Sequence, residues 1–169
     1  MKSILSVLVE NRAGVLSRIA GLFARRGFNI DSLAVGATDD PSVSRMTIIV
    51  DGDERTMEQV FKQLNKQIDV IKVKTLEASA STRRELALIK VNITNQTRSQ
   101  IIDVAKIMKA DIVDLSHTTL TIEIADRPER VDLLLSLLAS YGIVELVRTG
   151  MVAMQKGSEA IAIAVAKPD

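Results

Sequence analysis

The sequence predicts an α+β fold made of two ferredoxin-like βαββαβ units in tandem. Segments with alternating or continuous apolar residues, typical of strands, are interleaved with segments whose apolar residues recur at helical spacing. The order strand, helix, strand, strand, helix, strand occurs twice along the chain. In this topology two helices pack on one face of a four-stranded antiparallel sheet. A unit of this kind needs only about 75 residues, so a chain of 169 residues accommodates two.

The first unit begins with a strand over residues 4–9, whose two faces are both largely apolar, as expected of an interior strand. A helix follows, in which the apolar residues between Val15 and Phe23 form one stripe and Gly27 favours the end of the helix. The later elements are hairpin strands at residues 29–37 and 44–50, a helix capped by Asp53 or a neighbour, and a strand at residues 70–76.

Residues 78–83 are small, polar and non-periodic, and they predict a linker. We therefore expect a first domain at residues 1–77, a second at 84–157 and a tail at 158–169. The tail is apolar and rich in alanine, which leaves an extra strand, a partner-binding segment and a frayed end as alternatives. The second unit is predicted to contain strands at residues 86–93, 111–115, 119–124 and 143–147, and helices that begin near Arg98 and Pro128.

Composition argues against several classes of function. The chain is 47% hydrophobic but only 2% aromatic, so its core must be built from aliphatic residues and methionine. Its 22 basic and 21 acidic residues nearly cancel, which argues against a nucleic-acid or membrane-surface partner. The absence of cysteine excludes disulfides and thiolate sites and is compatible with the cytoplasm. No apolar run reaches the roughly 18 residues of a membrane span, and the N-terminal run has no signal-peptide pattern.

The turn Asn11-Arg12-Ala13-Gly14, between the first strand and the first helix, is the candidate binding site. Free N–H groups at a helix N-terminus attract a carboxylate or phosphate, and Gly14 lets the backbone approach a ligand closely. Asn11 can cap the helix or bind a ligand. An ordinary capped turn is the alternative interpretation. The second unit lacks this turn.

Catalytic residues are scarce in the sequence. His117 is the only histidine and lies in a predicted hairpin turn, where a solvated side chain is expected. No phosphate-binding glycine motif occurs. Turns and helix caps explain the acidic groups at residues 39–40 and 51–54, although the binding of a divalent cation by these residues is left open. Strands at residues 4–9 and 44–50 have no aromatic residues with which to stack RNA bases. We expect no catalytic or metal site.

Several motifs carry a resemblance to a known family. Residues 4–18, Ile-Leu-Ser-Val-Leu-Val-Glu-Asn-Arg-Ala-Gly-Val-Leu-Ser-Arg, resemble the opening of an ACT domain, and residues 26–33 continue the likeness. Three further segments make the resemblance specific to the regulatory small subunits of acetohydroxyacid synthase, also called acetolactate synthase. They are residues 38–41, 44–48 and 147–150. The resemblance extends to about Gly157 and is more specific in the first half, while the alanine-rich tail departs from the family pattern.

The resemblance implies a non-catalytic cytoplasmic subunit. Such subunits bind a larger catalytic subunit that carries thiamine diphosphate, FAD and Mg²⁺ and condenses pyruvate into acetolactate, toward valine, leucine and isoleucine. They raise its activity and confer feedback inhibition, usually by valine. No cofactor is therefore expected in this chain. Two rival classes are a stand-alone ACT-type amino-acid sensor acting on another enzyme or a transcription factor, and a small enzyme on the same scaffold. The preferred effector and the surface for the catalytic subunit are left open.

The resemblance also implies where the effector binds. ACT domains of this kind form homodimers through their sheet edges, giving one eight-stranded sheet with an amino acid at the interface. The effector carboxylate would meet the N–H groups near Gly14, Val15 and Leu16, and Asn11 would contact its polar end. Asn29 and Ile30 would come from the other chain, although Asn29 by itself is typical of a turn after Gly27. The expected valine-binding residues are Asn11, Ala13, Gly14, Val15, Leu16, Asn29 and Ile30.

Overall fold

The computed structural model describes residues 2–161, and it confirms the α+β fold with two βαββαβ units in tandem. Among the described residues, one compact unit comprises residues 2–82 together with residues 151–161. The other is Arg83–Gly150. No helix of the described residues is long and apolar enough to cross a membrane.

The first unit contains a four-stranded antiparallel sheet in which the first strand is central. Its strand order is β2-β3-β1-β4, so β2 and β4 are the edges. The predicted interior position of the first strand is confirmed, because six consecutive residues of β1 are buried. Its elements are β1 (Lys2–Glu10), α1 (Val15–Arg26), β2 (Ile30–Ala37), β3 (Val43–Asp51), α2 (Glu54–Asn65) and β4 (Val70–Leu76).

Both helices of the first unit bury one apolar stripe on the same face of the sheet, and their ends follow the predicted signals. Gly27 ends α1 in the left-handed conformation, with φ of 68°. Asp53 caps α2 by accepting a 2.8 Å hydrogen bond from the backbone N–H of Thr56. The shared core consists of Leu5, Val7, Val9, Val15, Ile19, Leu22, Phe23, Met46, Ile48, Val50, Val60, Leu64 and Val73.

The second unit repeats the topology with strand order β6-β7-β5-β8. Buried and half-exposed residues alternate along β7, as expected of a strand with one face on the core. Near the end of this unit, the Arg148 guanidinium pairs with the buried carboxylate of Glu85. Its elements are β5 (Ser81–Asn92), α3 (Arg98–Met108), β6 (Asp111–Leu115), β7 (Thr119–Asp126), α4 (Pro128–Leu138), a 3₁₀ turn (Ala139–Tyr141) and β8 (Ile143–Arg148).

The turn observed before β5 is shorter than the linker predicted at residues 78–83. Glu77 closes a turn by accepting hydrogen bonds from the backbone of Ala80 and the hydroxyl of Ser81, at 3.1 and 2.7 Å. Strand β5 then begins at Ser81. The small polar residues therefore supply one tight turn, and the remaining residues of the segment are extended backbone.

A strand that the sequence analysis did not predict, β9 (Val152–Gln155), lies in the first unit. Its Ala153 and the preceding Met151 pack against Ile4, Ile49 and Leu76 on the helix-free face of the first sheet. Residues 151–157, which the sequence analysis grouped with the second domain, belong to the first compact unit in the structure. The physical reason is that β1, β3 and β4 carry apolar side chains on this second face, which needs a cover.

Two polar contacts hold this segment to the first sheet. Arg45 Nη2 donates a 2.8 Å hydrogen bond to the carbonyl of Ala153. The backbone N–H of Met151 donates to Ser32 Oγ at 3.1 Å. Of the predicted tail, Glu159 pairs with Lys74 at 3.1 Å, and the part from residue 162 to 169 lies outside the described residues.

Candidate effector site

The turn between β1 and α1 leaves the start of the helix without a side-chain cap. Gly14 is the N-terminal cap of α1 and adopts the left-handed conformation, with φ of 85°. Its carbonyl accepts the first helical hydrogen bond, from Arg18 N at 3.0 Å. No side chain caps the helix, so capping, one of the two roles that the sequence allowed for Asn11, is not the one it has. The amides of the first turn are therefore not covered by a capping side chain.

Asn11 instead ties the turn to the β2–β3 hairpin. Its Nδ2 donates to the carbonyl of Pro41 at 2.8 Å, and its backbone N–H donates to the carbonyl of Ser42 at 2.7 Å. Carbonyl groups of the hairpin thus accept hydrogen bonds from both the side chain and the backbone of Asn11. Because Nδ2 is used in this way, the side-chain oxygen Oδ1 is oriented as a free acceptor among the described residues.

The turn is held from below by Asp69, a residue that the sequence analysis missed. Asp69 is only 2% exposed. Its Oδ1 accepts from Arg12 Nη2 at 2.6 Å, and its Oδ2 accepts from Arg18 Nε at 2.5 Å. Hydrogen bonds from Arg18 and then Arg12 lower the pKa of the Asp69 carboxyl below its ordinary value. The backbone carbonyl of Asp69 also accepts from Glu10 N at 2.9 Å.

Asp69 could have been found from the pairing of β1 with β4. In the register of this pair, Val9 lies opposite Val70, so the residue before β4 meets the end of β1. A carboxylate at that position lies within reach of arginines in the following turn. The sequence alone offers this signal only after the strand order has been inferred.

Five of the expected site residues lie in the turn or in the first two positions of α1, but they differ in what they offer. Asn11, Ala13 and Gly14 are exposed, whereas the side chain of Val15 belongs to the core and only its backbone faces the turn. Leu16 is 45% exposed and presents an apolar side chain beside the turn. A small ligand there would meet backbone N–H groups and a short apolar surface.

The other two expected residues lie at the opposite end of the sheet. Ile30 pairs with Val50, whereas the turn follows Glu10, which pairs with Val43 at the other end of β3. Asn29 is exposed, and its Nδ2 donates to Asp31 Oδ1 at 2.8 Å. One copy of the chain therefore does not bring Asn29 and Ile30 together with the Gly14 turn.

The acidic turns take part in local hydrogen bonds. Asp40 Oδ1 accepts from the backbone and hydroxyl of Ser42 at 2.9 and 2.6 Å, which lowers its pKa. Residues 2–161 contain no group of three or more acidic, histidine or cysteine side chains arranged to hold a metal ion. The corresponding turn of the second unit is built differently, because Thr94 and Thr97 bond each other there.

The first unit, a βαββαβ sheet with a left-handed glycine at its first strand–helix turn, agrees with the ACT-domain resemblance. The family model described as an AHAS small subunit-like ACT domain matches residues 5–72. A second model, described as the small subunit of acetolactate synthase, matches residues 84–157.

Three relatives span nearly the whole chain. A probable acetolactate synthase small subunit of Methanothermobacter thermautotrophicus is 51% identical over 156 residues, covering 92% of this chain and 93% of its own length. The acetolactate synthase small subunit of Mycolicibacterium smegmatis is 49% identical over 160 residues, covering 95% and 94%. The crystal structure of the Thermotoga maritima small subunit superposes with a TM-score of 0.88 at 37% identity, covering 94% and 99%. The chain belongs to the acetolactate synthase small-subunit family, as the resemblance indicated.

Proposed function

We propose that this chain is the regulatory subunit of acetolactate synthase. It binds the larger catalytic subunit, raises its activity and confers feedback inhibition by valine. The observation that carries the proposal is the Gly14 turn, whose amides are left without a capping side chain in a chain about half identical to named small subunits. The role of the chain is then to sense the end product rather than to turn over substrate.

The turn suits the carboxylate of an amino acid. The N–H groups near Gly14, Val15 and Leu16 carry the partial positive charge of the helix N-terminus. A hydrogen bond to a charged group contributes about 1.5–3 kcal/mol, so a few such bonds suffice for a ligand as small as valine. Asn11 Oδ1 accepts from the ammonium group, and Leu16 contributes apolar surface to the branched side chain.

Dimerisation through β2 completes the site. Strand β2 is an edge strand, and its last three residues, Val35, Gly36 and Ala37, are exposed. A two-fold axis at this edge pairs β2 antiparallel with its copy, which also removes an exposed edge. The start of β2 in the second copy then lies beside Ala37 of the first, at the end of the sheet that holds the Gly14 turn. Asn29 and Ile30 of the second copy reach the effector in this arrangement.

The condensation chemistry is assigned to the catalytic partner. Thiamine diphosphate, FAD and Mg²⁺ are expected on that subunit, and none is assigned to this chain. The proposal places the complex in the cytoplasm. A stand-alone amino-acid sensor is the alternative, and copurification with a large thiamine-diphosphate enzyme separates the two functions.

The first experiment is a calorimetric titration of the purified chain with valine, with leucine and isoleucine as controls. Saturable binding near one valine per chain, together with valine inhibition of the reconstituted enzyme, is the expected result. If valine neither binds the chain nor inhibits the complex, the feedback role is refuted, whatever the position of the site.

A further inference from the structure

We infer that Arg18 is a ligand of the effector carboxylate and that buried Asp69 positions it. The inference rests on the proposed function, because it names a further residue of the same effector site. It adds a side-chain cation to the backbone amides that are proposed to hold the effector carboxylate.

Asp69 holds the Arg18 guanidinium by one nitrogen only. Nε donates to Asp69 Oδ2 at 2.5 Å, and Asp69 is almost fully buried. The terminal nitrogens Nη1 and Nη2 have no acceptor among residues 2–161, and the side chain is 48% exposed. Asp69 therefore fixes the direction of the guanidinium while leaving its terminal N–H groups unused.

Those unused donors lie directly over the turn. A Cβ built on Gly14 would be only 2.9 Å from Arg18 Nη1, so the guanidinium occupies the space beside the Gly14 backbone. A planar guanidinium presents two parallel N–H groups that match a carboxylate. An anion at the amides near Gly14 is therefore within reach of Arg18 without movement of the backbone.

Arg12, the other arginine on Asp69, has a second carboxylate partner. Its Nη2 and Nε both donate to Asp69 Oδ1, at 2.6 and 3.1 Å, and its Nε also pairs with Glu10 Oε2 at 2.8 Å. Arg12 thus holds the turn, and Arg18 is the arginine whose charge faces the ligand. The contrast assigns different roles to two arginines that share one carboxylate.

The test compares valine with valinamide, which keeps the side chain and amino group but lacks the carboxylate. The full-length variants Arg18→Gln, Arg18→Lys and Asp69→Asn are titrated with both compounds, and backbone amide shifts check that each is folded. Arg25→Gln is the matched control, because Arg25 lies four residues after Gly21 on the same helix, with Nη1 at 3.3 Å from a Cβ built there.

Arg18→Gln is expected to weaken valine binding about tenfold or more, with little effect on valinamide. Arg18→Lys retains a cation that can pair with Asp69, so it should fold even where Arg18→Gln does not. It loses the planar guanidinium, however, and should therefore lower the preference for valine over valinamide. Asp69→Asn leaves Arg18 present but poorly oriented and gives a smaller loss of the same preference. Arg25→Gln leaves both affinities unchanged.

An unaltered ratio of valine to valinamide affinity in a folded Arg18→Lys or Arg18→Gln protein would overturn the inference. If the wild-type chain binds valine and Gly14→Asp abolishes that binding, such a result leaves the proposed function standing. If the wild-type chain and its complex ignore valine altogether, the proposed function and this inference both fail.

Discussion

Arg18 and Asp69, which are 51 residues apart in the chain, form a 2.5 Å ion pair beneath the turn that begins the first helix. The pair joins α1 to the start of β4, and Arg12 joins the same carboxylate from within the turn. The candidate effector site is therefore held by a side chain that does not line it. The consequences for stability, regulation and assembly can be measured.

The first prediction concerns the pH dependence of stability. The pKa of Asp69 is lowered in the folded chain by its hydrogen bonds to Arg18 and Arg12. A lowered carboxyl pKa stabilises the fold fully above the unfolded pKa, near pH 4, and the contribution is lost as the pH falls through the folded value. The stability difference between the wild type and Asp69→Asn should be constant near neutral pH and shrink below about pH 4.

Urea unfolding of both proteins across that range measures this difference. Asp111→Asn is a suitable control, since Asp111 is exposed on β6 and no ion pair with the described residues involves it. A difference that stays constant down to pH 3 would mean that the ionised carboxylate of Asp69 does not stabilise the fold.

The second prediction is that Gly14→Asp abolishes feedback and leaves activation of the catalytic subunit intact. The new carboxylate repels the effector carboxylate and attracts Arg18, whose Nη1 lies 2.9 Å from the position of a Cβ at residue 14. Aspartate tolerates the left-handed conformation better than most residues, so the chain should still fold. The measurement is the valine inhibition constant of the reconstituted enzyme, and a normal valine response in this variant would place the effector elsewhere.

The third prediction is that Asn29→His desensitises the enzyme without changing the stability of the chain. Asn29 is exposed, and its only side-chain bond to the described residues is to Asp31. We expect a change of no more than about 0.5 kcal/mol in the free energy of unfolding, as is usual at such surface positions. Inhibition constants equal to those of the wild type would favour a simple turn role for Asn29.

The fourth prediction tests the β2 edge as the dimer interface. Val35→Asp places a charge on this edge at a side chain that is 45% exposed, and it should dissociate the dimer and weaken valine binding in parallel. Ile71→Asp is the matched control, because Ile71 lies on the opposite edge strand and is 39% exposed. Analytical ultracentrifugation measures the oligomeric state of both variants. A monomeric Ile71→Asp protein together with a dimeric Val35→Asp protein would assign the interface to the β4 edge instead.

The fifth prediction concerns the segment that covers the helix-free face of the first sheet. Met151 is buried against Ile4, Ile49 and Leu76, so Met151→Ala should lower the free energy of unfolding by about 2 kcal/mol through lost contacts and a cavity. Met154, three residues later, is 61% exposed, and Met154→Ala should change stability little. Equal effects of the two substitutions on the urea midpoint would show that the segment does not stabilise the first unit.

The elements that sequence predicted best are those in which local and tertiary preferences agree. Val70–Leu76 and Asp111–Leu115 have the predicted bounds, and Asp53 caps α2 as expected. Each has a clear apolar pattern or a residue that satisfies a backbone N–H within a few positions. The repeated strand and helix order, and with it the fold, follows from these short-range signals.

Strand β9 was not predicted because the residues that its segment packs against are distant in the sequence. Val152–Gln155 is short, and Met151 and Ala153 are buried only because the face around Ile4 and Ile49 is apolar and lacks a helix. No periodicity within four residues reveals that partner. The same segment was therefore assigned by position in the sequence to the second domain, whereas Met151 and Ala153 are buried against residues of the first unit.

The sequence by itself determined the fold class, the family and the turn at Gly14, because strand and helix periodicity and a glycine-containing motif are local properties of the chain. Tertiary structure alone decided how the turn is held. It buried Asp69 beneath two arginines, directed Asn11 to the hairpin and placed Asn29 at the far end of the sheet. These relationships depend on strand register, which joins residues that are distant in the chain and is specified only when the sheet assembles around its core.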